Sequence, residues 1–488
     1  MQSFPLPYLG PTQKHQALSE LMREPWSILL DSGGKDLNYN RFDVFASQPT
    51  VKLSLSDGQI ELVTNTQQEN TKRFLGADNP LKLMREYLAD YKRQSCWRES
   101  DYQQVKLPFY GGWLGYASYD FGRYLEKLPE LTDDDIQLPE LQFGLYQWAL
   151  ITDHQEKTSH LYNFGLEKTQ WHSLCKKYLE NIESHISRLT NHPDDFQSTN
   201  SFKLTTQFFS NTSRKEYQKA FNRIQDYIHA GDCYQVNYAQ RFQAEFQGDI
   251  QLAYQKLSEH NQAPFSGFLN FGEFQILSLS PERFIESHQN KVITQPIKGT
   301  RPRSQDPIKD EQLGIELKNS AKDCAENLMI VDLLRNDLSR TASRASVKVS
   351  ELFGHYRFES VHHLISTVES ELAAGYDNFD LLATTLPGGS ITGAPKIRAM
   401  EIIEELETVR RNVYCGIIGY LDFTGNMDTN ICIRTLIAKN QTLYCWAGGG
   451  LVADSEVNTE YQETFDKLAK ILPVLSAMAP ETNVDSIQ

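Results

Sequence analysis

The stretch Gln295-Pro296-Ile297-Lys298-Gly299-Thr300-Arg301-Pro302-Arg303 decides how the chain is read. Before it, Val292, Ile293 and Thr294 are β-branched residues that suit a pleated surface and mark the end of a strand. Gly299 lets the backbone turn sharply or approach a ligand closely, which puts Lys298 at the strand end. A free lysine, with a pKa of about 10.4, is a poor nucleophile at neutral pH. Burial or a neighbouring cation, here Arg301 or Arg303, would release its lone pair. Most lysines are simply exposed, so the residues around this one decide its role.

Composition narrows the possibilities. The chain has 488 residues, 40% hydrophobic and 11% aromatic, ample for a packed core. A net charge of -15 without a basic run argues against a nucleic-acid partner, because phosphate binding needs a basic face. An anionic substrate would need local positive charge. The cysteines at 96, 175, 233, 324, 415, 432 and 445 are scattered and form no CxxC pair, which suggests neither a zinc site nor a disulfide framework and fits a reducing cytoplasm. Neither a basic-then-apolar leader nor a membrane-spanning run is visible, so a soluble, untargeted chain is expected. P-loop, GxGxxG, HExxH and GxSxG motifs are absent.

In chain order, residues 51–55 and 59–64 read as strands, and residues 109–124 set glycines among aromatic rings, a pattern that packs backbone against rings in a sheet. A helix over about 169–189 leads into a polar run at 190–213. Ser213-Arg214-Lys215-Glu216 is a capping box for a helix ending near Gly231. Residues 234–242 and 274–280 alternate with period two and predict strands. Residues 325–338 are apolar nearly all round, which predicts a helix buried on most sides; Glu326 near its start then needs a partner. The loop Leu386-Pro387-Gly388-Gly389-Ser390-Ile391-Thr392-Gly393-Ala394-Pro395-Lys396 runs into a helix with Pro395 in its first turn, offering amides to an anion. Strands are expected at 414–423, 427–438 and 442–447, with Gly448-Gly449-Gly450 breaking the last. Thr424-Gly425-Asn426 is a hairpin signal. Tyr461, Phe465, Leu468 and Leu472 mark a closing amphipathic helix whose stripe leaves Glu463 on the opposite, solvated side.

Taken together, Ser280-Pro281-Glu282-Arg283-Phe284, residues 296–303, 326–337, 387–396 and 448–465 resemble, in order and spacing, the chorismate-utilising enzymes. The similarity covers nearly the whole chain and is strongest over about 213–473. It implies an α+β fold of two subdomains, with antiparallel sheets facing each other, helices outside and the site in the cleft between them. The expected division is an N-terminal subdomain at 1–190, a linker at 191–212, a chorismate-binding catalytic domain at 213–475 and a tail at 476–488.

The resemblance also implies roles. Members that make anthranilate carry alanine where this chain has Lys298, so lysine implies 4-amino-4-deoxychorismate, the precursor of p-aminobenzoate and folate. Lys298 would attack C2 of chorismate as the C4 hydroxyl leaves, and ammonia would open the covalent adduct at C4. Glu282 would be the general acid, its pKa raised by burial; an ion pair with Arg283 is its other reading. His363 matches the family's active-site histidine. Glu326 and Glu463 match its Mg2+ ligands, with Glu460 contributing through water. Thr300, Ser390, Thr392, Gly393, Tyr414, Arg434, Gly448, Gly449, Gly450 and Lys467 are the expected substrate-binding positions. Leu30, Ser32, Arg41, Phe42, Pro264 and Phe265, in the segments Leu29-Leu30-Asp31-Ser32-Gly33, Tyr39-Asn40-Arg41-Phe42-Asp43 and Pro264-Phe265-Ser266, resemble the family's tryptophan pocket; a plain sandwich core is the other reading. The chain lacks a glutaminase elbow, so ammonia is free or comes from a separate glutaminase subunit in a heterodimer. Anthranilate synthesis, salicylate or isochorismate synthesis, and an inactive chorismate or tryptophan binder remain as alternatives.

Overall fold

Alternation along the strands sorts the apolar residues into layers. In the strand Ser27–Asp31, Ile28 enters one core and Leu29 the other; in Phe42–Ala46, Val44 and Ala46 part from Phe45 in the same way. The computed structural model describes residues 2–33, 41–65, 70–75, 79–94, 106–191, 201–358 and 361–478. Two antiparallel sheets result.

The first sheet runs Gln2–Leu6, Thr158–Asn163, Trp148–Asp153, Phe42–Ala46, Ser27–Asp31, Phe265–Asn270, Phe274–Ser280, Thr435–Lys439, Thr442–Leu451, Gln235–Gly248 and Phe202–Leu204. The second runs Ile297–Pro302, Val361–Glu371, Lys291–Thr294, Arg283–His288, Met427–Asn430, Ile417–Asp422, Gly112–Ala117, Leu141–Tyr146, Val51–Ser56, Gln59–Asn65 and Asn70–Leu75. The larger core lies between them. There Ile28, Ile276 and Ile437 share a cluster with Leu53, Trp113 and Ile417, and the Tyr116 ring meets Phe274 edge-on at 6.1 Å. On the outer side of the first sheet, Leu29, Phe45 and Leu277 pack against the helices Lys168–Asn191 and Ile250–Asn261. A third cluster joins the helices Arg214–Ala230 and Lys396–Leu406 to Val236 and Tyr238.

Short-range signals set several boundaries as expected. Ser213 and Glu216 form the capping box, Gly231 ends that helix at φ 82°, and Gly425, at φ 86°, turns the hairpin between Ile417–Asp422 and Met427–Asn430. Other expectations change. Residues 1–190 and 213–475 do not make separate sheets, because each sheet draws strands from both, joined by the pairs Ser27–Asp31 with Phe265–Asn270 and Gly112–Ala117 with Ile417–Asp422. Within the expected linker, Phe202–Leu204 and Phe209–Ser210 pair with Gln235–Gly248, while 192–200 lie outside the described residues. The helix Ala321–Ser339 is buried on one face only, through Asn327, Ile330, Val331, Leu334, Asp337 and Leu338, and Leu328 is 45% exposed. Pro395 is the N-cap of its helix, extended at ψ 143°, rather than part of the first turn.

Two corrections bear on the site. The stretch 427–438, expected as one strand, is two strands in different sheets, separated at 431–434, where Arg434 takes φ 52°. Gly448, Gly449 and Gly450 do not break a strand; they continue Thr442–Leu451, opposite Ala239, Tyr238 and Asn237. A side chain on Gly448 would not fit, because its Cβ would lie 2.4 Å from the Tyr238 carbonyl oxygen, and one on Gly450 would have to displace the Gln235 side-chain amide, 1.9 Å from its Cβ.

Candidate active site at the seam of the two sheets

Glu282 sits where the chain leaves the strand Phe274–Ser280 of the first sheet and enters Arg283–His288 of the second. The reverse passage at 431–434 runs beside it. Ser280 Oγ donates to the Ile431 carbonyl at 2.6 Å, and the Ile431 amide donates to the Glu282 carbonyl at 3.1 Å. These passages bring Glu282 and Arg434 to neighbouring backbones.

Glu282 is only 8% exposed, and burial raises its pKa to about 7 against the pull of Lys298, Arg434 and Lys467. It makes no ion pair with Arg283, which is taken by Asp428 and Glu286 and lies 5.0 Å over the Phe265 ring. Arg434 has no salt bridge among the described residues, and burial lowers its pKa while Glu282 opposes the shift. A desolvated guanidinium without a carboxylate partner is suited to a substrate anion.

Lys298 lies within the strand Ile297–Pro302 rather than at the end of one. Pairing with Val361–Glu371 slips between Ile297, opposite Ile365, and Thr300, opposite His363, so Lys298 and Gly299 form the bulge. Gly299 has φ 81°, and a Cβ there would lie 2.8 Å from Leu317 Cδ1. The bulge re-aims Lys298, whose Nζ donates to the Ser390 carbonyl at 3.2 Å. Burial lowers the lysine pKa, Glu282 opposes this, and Lys467 adds to it. The helping cation is therefore not an arginine of the motif. Arg301 is held by Glu316 and Asp323, and Arg303 by Asp310. On the neighbouring strand His363 is 7% exposed, its Nδ1 2.9 Å from Thr300 Oγ1. Burial and then the Arg434 charge lower its pKa to about 4, leaving the ring neutral at pH 7.

The carboxylates come from two helices. Glu326 projects from Ala321–Ser339, and Glu460 and Glu463 from Val457–Asp466. Periodicity had put Glu463 on a solvated face, but it is Gly449 that this face covers: a Cβ there would lie 3.1 Å from Glu460 Oε2 and 3.6 Å from Glu463 Oε1. Glu460 is 3% exposed and accepts from Ser455 Oγ at 2.7 Å. Lys322 lies 3.9 Å from Glu326 and 3.8 Å from Glu460, while Lys467 bridges Glu463 and the Gly448 carbonyl at 2.7 Å each. Burial raises the pKa of Glu326 and Glu460. Hard carboxylate oxygens gathered with lysines as counter-ions fit Mg2+ in donor chemistry, although among the described residues no three such groups converge at ligand spacing.

Other expected positions serve the frame. The Thr392 hydroxyl donates to the carbonyls of Gly388 and Gly389, Gly393 pairs with Val236, and Ser390 offers its carbonyl rather than its hydroxyl to Lys298. Tyr414 is buried between Trp446 and Arg411. Sequence reasoning missed Lys322, whose i,i+4 spacing to Glu326 was the available signal, and the buried pair Arg411 with Glu407. Arg411 also donates to the carbonyls of Ile391 and Asn237, tying the 387–395 loop to the first sheet.

Leu30, Ser32, Arg41, Phe42, Pro264 and Phe265 line one cavity of about 570 Å³ between the sheets. Asp43 accepts from both the amide and the hydroxyl of Ser32, at 2.8 and 2.7 Å, and Arg41 pairs with Asp153. Tyr39 and Asn40 lie outside the described residues.

The family model described as chorismate binding enzyme matches residues 39–473. The chain belongs to the chorismate-binding enzymes. Aminodeoxychorismate synthase component 1 of Escherichia coli (strain K12) is 46% identical over 457 residues, covering 94% of this chain and 95% of that protein. Anthranilate synthase component 1 of Thermus thermophilus is 38% identical, covering 75% and 77%. The crystal structure of anthranilate synthase component I from Streptococcus pneumoniae TIGR4 superposes with a TM-score of 0.72 at 31% identity, over 88% of this chain and 92% of the other. No helix among the described residues is long and apolar enough to cross a membrane.

Proposed function

We propose that the chain is the synthase component of an aminodeoxychorismate synthase, converting chorismate and ammonia from a separate glutaminase subunit to 4-amino-4-deoxychorismate. The observation that carries this reading is Lys298: a bulge aims a desolvated amine, with its pKa lowered, into a site where the carboxyl of Glu282 is raised to about 7. Lowering the amine and raising the acid favours a free amine beside a protonated carboxyl, the pair that a nucleophile with a leaving hydroxyl requires.

In this mechanism the Lys298 lone pair forms a bond to C2 of chorismate, the ring double bonds shift, and the C4–O bond breaks as Glu282 gives its proton to the departing hydroxyl. Ammonia then bonds to C4, the double bonds shift back, and the Lys298 amine leaves C2 with its electron pair. Arg434 binds a substrate carboxylate, and neutral His363, held against Thr300, orients the ring. Glu326 and Glu463, with Glu460 beside them, would hold Mg2+, which supplies charge neutralisation for a substrate carboxylate. Tryptophan is the proposed occupant of the cavity around Ser32 and Phe265, and the cytoplasm is the proposed location. Incubation with chorismate, Mg2+ and ammonium, followed by mass analysis, tests the assignment: 4-amino-4-deoxychorismate is expected. Anthranilate, salicylate or isochorismate would overturn it, and absence of turnover would indicate a binder.

A further inference from the structure

Lys322 and Lys467 both serve the carboxylate cluster, but they are held differently. Lys467 is fixed at hydrogen-bond length to Glu463 Oε1 and the Gly448 carbonyl, 2.7 Å each. Lys322 lies 3.9 Å from Glu326 and 3.8 Å from Glu460, well beyond the ~2.8 Å of a charge-assisted hydrogen bond. Its side chain is 53% exposed, whereas that of Glu460 is 3% exposed and anchored by Ser455. Lys322 also stands in the first turn of its helix, where the backbone amides disfavour a cation, and N-terminal to Glu326, the weaker order for an i,i+4 pair.

We propose that Lys322 is a displaceable counter-ion, which bridges Glu326 and Glu460 in the metal-free enzyme and swings into solvent when a divalent cation takes its place. This rests on the reading that these carboxylates hold Mg2+. Without a cation between them, two desolvated carboxylates on separate helices repel each other. A loosely held ammonium keeps the helices in place and costs little to remove, whereas the tightly bonded Lys467 stays.

Mg2+ binding to the full chain without substrate, measured by titration calorimetry and checked by Mn2+ electron paramagnetic resonance, tests this. Lys322→Gln should bind Mg2+ about fivefold more tightly, the size of two exposed ion pairs. Its melting temperature should fall without metal and return to the wild-type value at saturating Mg2+. Lys322→Arg, which keeps the charge, should behave as wild type, and Lys318→Gln, a charge removed on the preceding helix, should shift affinity less than twofold. Unchanged or weaker Mg2+ binding by Lys322→Gln, or equal tightening by Lys318→Gln, overturns the counter-ion role. If the wild-type chain binds no Mg2+, the metal reading fails and this one with it.

Discussion

Replacing Glu282 by Gln separates the chemistry of this carboxyl from its cost to the fold. Its pKa rises from 4.5 to about 7 because it is buried at the seam, against the opposing pull of Lys298. At 1.36 kcal/mol per pH unit, holding the ionised carboxylate there costs roughly 3 kcal/mol. The folded state binds the proton more tightly than the unfolded chain, so stability from this group is fully present below about 4.5, declines as pH rises, and is lost above about 7. Gln cannot ionise and keeps the shape. The variant should therefore lie within about 1 kcal/mol of the wild type near pH 5 and exceed it by up to ~3 kcal/mol at pH 8, a rise of a few degrees in melting temperature, roughly. Activity should fall by about 10²- to 10⁴-fold with the loss of the proposed general acid. In the wild type, kcat/KM should decline above about pH 7 as Glu282 ionises; the variant should lack this alkaline limb. Thermal scans of both proteins from pH 5 to 8.5, paired with product formation, measure both effects. A stability difference that does not change with pH would refute the buried, proton-holding carboxyl.

Lys298→Ala should abolish the covalent adduct seen by intact-protein mass after mixing with chorismate, and an adduct of unchanged yield would remove the lysine from the mechanism. Gly299→Ala meets both a positive φ and a contact 2.8 Å from Leu317, so it should destabilise by about 1–2 kcal/mol and lower kcat more than it raises KM, read from denaturant melts and steady-state rates. Arg434→Gln should lower kcat/KM for chorismate about tenfold to a hundredfold, the worth of a charge-assisted contact. Because Arg434 pulls the Glu282 pKa down, the same variant should also move the alkaline limb of the pH profile upward; a limb that stays in place would show that the two groups do not communicate.

What could be read from sequence was local. A cap needs its own next three residues, and a hairpin needs its turn, so Ser213 with Glu216 and the turn at Gly425 were legible. The bulge at Lys298 and Gly299 was not, since it exists only against the register of Val361–Glu371, and Gly299 alone suggested a loop. The division at 431–434 carries no breaker residue; Ile431, Ile433, Thr435 and Ile437 alternate on through it, and only the partner strands show that the chain has changed sheets. The glycines at 448–450 read as a break, yet they answer to crowding by Tyr238, Gln235 and the carboxylates of Glu460 and Glu463, all distant in sequence or on another element. The charged face of Val457–Asp466 was misread for the same reason: the helix covers Gly449, so Glu460 is buried there and the half-exposed Glu463 lies beside it. Resemblance supplied the candidate site residues that periodicity could not.

The topology itself accounts for the electrostatics of the site. A strand interior offers a side chain either an apolar core or solvent, and neither suits a carboxyl that must be dry and yet close to cations. Where the chain passes between sheets, the Ser280 hydroxyl and the backbone groups of Glu282 and Ile431 satisfy one another across the two passages. Glu282 and Arg434 can then be withdrawn from water without belonging to a hydrophobic layer. Lys298 reaches the same space by a different route, a bulge in the edge strand of the second sheet, and the Ser390 carbonyl that receives it comes from a loop tied by Arg411 to the first. Burial then raises the acid and lowers the amine together, and each tempers the shift of the other. A relative shift of the two sheets would move Lys298 away from Ser390 while leaving Glu282 and Arg434 adjacent. The lysine pKa and adduct formation should therefore respond to substitutions that loosen the packing between sheets, while substrate binding through Arg434 changes less.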